Sequence, residues 1–87
     1  MVNIEDLELE EGTIVLEPQS SYNKAIIGVS IDSKHIIYSY DLLLYTLVEG
    51  GMSYEDAMDW LEYNTFRSLA YMDVEYRPII IRSIEEE

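Results

Sequence analysis

Residues 40–48, Tyr-Asp-Leu-Leu-Leu-Tyr-Thr-Leu-Val, carry apolar side chains around most of a helical circumference. A pattern that wide predicts a largely buried helix starting at Tyr40. Ser39 is placed to cap it, and Asp41 suits the positive end of the helix dipole. Gly50 or Gly51 can supply the left-handed stop. A second helix is predicted after Ser53, with Asp56 set as in a capping box and Met52 placed to staple onto Ala57. At ~100° per residue, Tyr54, Ala57, Met58, Leu61, Thr65, Ser68, Leu69 and Met72 fall on one side and predict its core stripe.

Before and after the helices the pattern favours strands. Residues 24–31 and 35–38 are rich in β-branched side chains and flank Asp32-Ser33-Lys34, which reads as a hairpin turn. Asp-Ser accepts positive φ less easily than Asp-Gly, so the turn type stays open. Residues 79–82 read as a last strand. Residues 13–16, Thr-Ile-Val-Leu, suggest an extra N-terminal strand closed by Glu17-Pro18, because proline removes a ladder donor. Residues 18–23 read as a loop. The expected fold is a single small α+β domain: a β-hairpin, two helices and a closing C-terminal strand.

Charge changes the picture. Against 18 Asp and Glu stand five Lys and Arg, a formal net charge of −13. Phosphate binding needs cations, so direct binding to DNA, RNA or anionic lipid is disfavoured. The expected partner is a basic protein surface; the alternative is that the acids only keep the chain soluble. The acidic segments 1–11 and 83–87 read as solvated and frayed. The N-terminus lacks the layout of a signal peptide, and no apolar run reaches the ~18 residues of a membrane helix. The reading is a cytoplasmic protein with no membrane partner.

Catalytic chemistry is hard to assemble from these residues. The chain has no cysteine, hence no disulfide, thiol nucleophile or thiolate zinc site. The single histidine, His35, sits at a strand start, and Gly50-Gly51 lacks the Lys-Ser/Thr of a phosphate loop. Neither catalytic residues nor a cofactor site is expected. Glu55, Asp59 and Glu62 lie along one helix and cannot by themselves wrap a calcium ion, so no metal site is expected either.

Those three acids nevertheless form a pattern. At i, i+4 and i+7 they share one exposed flank, ~6 Å and then ~4.5 Å apart along the axis. Phosphates advance ~3.4 Å per nucleotide, so the carboxylates can stand in for a stretch of nucleic-acid backbone. Phe66 falls on the same flank, with Tyr63 beside it. Either another element covers Phe66, or the helix bends near Thr65, or the flank is an interface with Trp60, Tyr63 and Phe66 as anchors inside an acidic rim. Arg67 can reach Tyr63 or Tyr71 and reads as an intramolecular tie.

Several blocks carry a resemblance. Residues 24–30, Lys-Ala-Ile-Ile-Gly-Val-Ser, precede Ile37-Tyr-Ser-Tyr-Asp41, Gly51-Met-Ser-Tyr-Glu-Asp-Ala57, Trp60-Leu-Glu-Tyr-Asn-Thr-Phe-Arg67 and Leu69-Ala-Tyr-Met72. From about Lys24 to Ile81 the chain resembles a group of short acidic proteins encoded by bacteriophages and prophages. That group tends to have Asp-Gly in the hairpin turn and Pro before the Tyr-Met pair; Ser33 and Ala70 depart from it. The group mostly lacks an assigned activity. What it implies is a phage context, in the host cytoplasm; phage origin together with the charge makes the expected function that of an inhibitor of host nucleases, anti-CRISPR or anti-restriction, acting as a nucleic-acid mimic. The alternative is a phage accessory or assembly module that binds another phage protein or itself. A homodimer would then use the apolar first helix or an unpaired strand edge.

Overall fold

Asp32 makes the hairpin turn work without glycine. In the computed structural model, which describes residues 3–84, strand β1 (Ile26–Val29) and strand β2 (Ile36–Ser39) pair antiparallel. Between them the Asp32 carboxylate accepts from the Ser30 hydroxyl at 2.6 Å and from the Lys34 amide at 3.1 Å. These bonds, Ser30 first, hold its carboxyl below the usual range. Ser33 takes the left-handed conformation at φ 64°, which glycine accepts more readily. In β1 the pairing skips Ile27: Ile26 lies opposite Tyr38 and Gly28 opposite Ile37, a β-bulge.

Strand β3 (Ile79–Ile81) returns parallel to β2, giving a mixed sheet of order β1-β2-β3. The fold is α+β, as the pattern predicts. Its core face carries Ile26, Ile36 and Tyr38, all buried, with Ile80 partly buried against them. Helix α1 (Gln19–Tyr22) and a following 3-10 turn, Asn23–Ala25, occupy the stretch expected to be loop. The Pro18 carbonyl accepts from both the Ser21 and the Tyr22 amide at 3.1 Å and starts the helix there. Tyr22 and Ala25 are buried by it.

Helix α2 (Tyr40–Glu49) is capped as expected, the Leu42 amide donating to Ser39 Oγ at 3.2 Å. It ends at Gly51, φ 115°. There the Gly51 amide reaches the Val48 carbonyl and the Met52 amide the Leu47 carbonyl, a Schellman closure. Burial departs from expectation. Leu43 and Leu44 are buried, but Leu42, Tyr45 and Val48 are 39%, 61% and 38% exposed, because the elements packed against α2 occupy one side of it.

Helix α3 (Tyr54–Trp60) starts at Ser53, whose hydroxyl accepts from the Asp56 amide at 3.1 Å. It runs on into a π-helical segment, Leu61–Phe66, and a last α-turn, α4 (Arg67–Leu69). Within the π segment the Arg67 amide bonds the carbonyl of Glu62, five residues back. Of the expected stripe, Ala57, Leu61 and Thr65 are buried, whereas Tyr54 is 59% exposed.

Residues 13–16 form no strand. Their amides go to separate places: Ile14 to the Tyr76 carbonyl at 3.1 Å and Leu16 to the Tyr38 hydroxyl at 3.0 Å. A ladder needs one partner strand, and these residues instead strap over the core with Leu16 buried. A 3-10 turn, Ile4–Leu7, precedes them, with Ile4, Leu7 and Leu9 packed on the core and Glu5, Asp6, Glu8, Glu10 and Glu11 outward. Of the C-terminal segment expected to fray, the Ser83 amide donates to Asp41 Oδ2 at 3.3 Å; residues 1, 2 and 85–87 lie outside the described residues. Among the described residues no helix is long and apolar enough to cross a membrane.

Candidate functional site

The π segment decides how the six predicted contact residues are arranged. Bonds to the fifth residue back turn the chain less per residue than an α-helix does, so a straight-helix projection drifts across residues 61–66. The predicted single flank becomes two neighbouring surfaces. Asp59, Trp60 and Tyr63 line one cleft together with Met52, Asp56 and Asn64. Glu62 and Phe66 line a separate groove with Tyr40, Leu69, Ile80 and Arg82. Glu55 is exposed and lines neither.

Phe66 is partly buried, its ring 5.6 Å from that of Tyr40 and tilted by 34°. The ring that looked stranded on the acidic side is covered by the start of α2. Loss of water there, with nearby acids adding less, pushes the Tyr40 hydroxyl up from its ordinary value. Trp60 and Tyr63 are different, at 43% and 59% exposed. Each is nonetheless held. The Trp60 indole donates to the Tyr22 hydroxyl at 3.3 Å, and the Arg67 guanidinium sits 4.9 Å above the Tyr63 ring. Arg67 is thus an intramolecular tie through a cation–π contact. Asn64 donates to the Trp60 carbonyl at 3.1 Å, a local bond within the helix.

Glu55, Asp59 and Glu62 are all exposed, and none takes part in an ion pair among the described residues. The pairs present there, Lys24–Glu49 at 3.9 Å and Lys34–Glu75 at 3.7 Å, lie elsewhere on the surface. Exposed pairs of that kind contribute little. The carboxylates beside Trp60 and Tyr63 therefore face solvent, with no base within ion-pair distance among the described residues. His35 is tied down, its Nδ1 lying 2.8 Å from the Arg77 carbonyl. Among the described residues no three His, Asp or Glu side chains gather as a metal site would require.

Two contributors escaped the sequence reading. Asp56 is a capping partner by its spacing from Ser53, yet it also lines the cleft with Asp59. Its signal was present, since Asp56, Asp59, Trp60 and Tyr63 follow the i, i+3, i+4, i+7 rhythm of one helix face. Tyr54 is the other. It leaves the core stripe and joins Asp41, Leu44, Tyr45 and Val48 around a shallow pocket on α2. No sequence signal separated it from the core residues. No protein-family model, curated protein or solved structure matches the chain.

Proposed function

We propose that the chain is a phage-type counter-defence inhibitor that occupies a basic, nucleic-acid-binding surface of a host nuclease. The observation that carries this reading is the cleft where two carboxylates, Asp56 and Asp59, neither in an ion pair among the described residues, flank the exposed rings of Trp60 and Tyr63. A lysine- or arginine-rich surface finds both of its preferred partners there, carboxylates and aromatic faces. Glu55 and Glu62 extend the negative field on either side, and the net charge of −13 steers a basic partner from a distance. The resemblance to acidic phage proteins supports the counter-defence setting, anti-CRISPR or anti-restriction. Phe66 serves here as packing beneath the surface, with its edge in the Glu62 groove.

The test is a tagged pull-down from host lysate washed across a salt gradient, followed by affinity measurement on the recovered enzyme. A nucleic-acid-binding enzyme that elutes as salt rises is the expected catch. The triple variant E55K/D59K/E62K should bind it at least ~100-fold more weakly, with its circular dichroism unchanged. Unchanged affinity in that variant would overturn the mimicry.

A second reading has its own observation. The apolar outer side of α2, with Tyr45, Val48 and Tyr54 around one pocket, suits a phage accessory or assembly module that docks through apolar contacts. Binding by that side survives high salt and responds to Tyr45→Ala rather than to loss of acids.

A further inference from the structure

The two outer strands of the sheet are built differently. In β1 the bulge at Ile27 breaks the regular spacing of donors and acceptors that another strand would need. Strand β3 has no such guard. Ile79-Ile80-Ile81 is β-branched throughout, with no bulge, proline or charge inside it. Alternation along the strand turns Ile80 toward the core, while Ile79 and Ile81 lie on the opposite face, 40% and 45% exposed.

The charges point the same way. Among the described residues no acid lies within a strand; Lys24, Lys34, Arg77 and Arg82, four of the five bases, lie within two residues of a strand end, against one acid, Asp41. On a chain of charge −13, β3, free of acids and flanked by Arg77 and Arg82, repels another equally acidic molecule less than the acid-bearing helices do. A basic partner is drawn instead to the helical side. The occupant that suits an apolar, acid-free strand is a strand of the same kind, and β3 is complementary to itself. Laid antiparallel about a two-fold, Ile80 faces its own mate and Ile79 faces Ile81 of the second copy.

We propose that the chain forms a homodimer through antiparallel pairing of β3, extending each three-stranded sheet into one continuous sheet of order β1-β2-β3-β3-β2-β1. With the two-fold axis normal to the sheet, both helical layers fall on the same side. The helices that carry the two acidic clefts then lie on one side of the extended sheet. The dimer itself does not depend on the target proposed above.

Sedimentation of the full chain from about 1 µM to about 1 mM, in about 0.5 M NaCl to screen repulsion, tests this. The wild-type chain should pass from monomer to dimer, and its β3 amides should gain hydrogen-exchange protection over the same range. I79K/I81K, which sets lysines against each other across the two-fold, should stay monomeric. I79K/I81E, which sets opposite charges there, should regain the dimer and so separates lost pairing from lost fold. A wild-type monomer throughout, or a dimer whose β3 amides gain no protection, would overturn the proposal. So would an I79K/I81K dimer as tight as wild type, or an I79K/I81E chain that stays monomeric.

Discussion

Tyr38 shows how much can depend on one hydroxyl. Its ring is fully buried at the centre of the sheet, and its oxygen accepts the amide of Leu16, the residue that pins the N-terminal strap to the core. Tyr38→Phe keeps the ring but leaves that amide without an acceptor, which should cost ~1–2 kcal/mol in urea unfolding. Burial raises the Tyr38 hydroxyl above its ordinary value of 10.0. The unfolded chain therefore ionises first as the solution becomes alkaline. The stability due to neutral Tyr38 is complete below the unfolded value and is lost as pH rises through the folded one. The urea midpoint of the wild-type chain should thus fall above pH 10.0, and more steeply than that of Tyr38→Phe. Equal slopes for the two proteins would remove Tyr38 as the cause.

Elements set by local chemistry were legible in the chain; those set by competition between distant partners were not. Ser39, Ser53 and Gly51 mark helix ends because their bonds close within a few residues, and Asp32 makes its turn for the same reason. The strap at residues 13–16 has the composition of a strand, yet its partners are a phenol and a loop carbonyl far along the chain. Periodicity likewise missed the exposure of Tyr45 and Tyr54, because an apolar helix does not state which side its neighbours will take. Of the candidate site, Glu55, Asp59 and Glu62 are exposed, as their shared flank predicts, and Trp60 and Tyr63 are exposed as well; the π segment separates Glu62 and Phe66 from the cleft. A π segment behaves as a helix with one residue too many. Deleting exposed Asn64 should restore ordinary helical bonding while Ala57, Leu61 and Thr65 still face the core. We expect a folded protein whose stability changes by no more than ~1 kcal/mol. Loss of cooperative unfolding in that variant would show that the wider turn is required.

At the scale of the molecule, charge opposes compactness. The described ion pairs are two, both exposed, so salt has little attraction to weaken and much repulsion to screen. At about 1 µM chain, the urea midpoint should rise as NaCl increases from about 0.01 M to about 0.3 M. A falling midpoint would mean that the ion pairs outweigh the repulsion. The topology has a further consequence, for synthesis. Strand β2 takes its second neighbour from residues 79–81, and Ile14 bonds the carbonyl of Tyr76, so both ends of the described chain meet across the middle. A ribosome that has released only the hairpin and α2 presents a sheet with one strand missing and a strap with nothing to fasten to. Such long-range closures form late and slowly. This domain therefore completes its fold only after residue 81 has cleared the exit tunnel, and until then its acidic surface is what keeps the emerging apolar segments apart.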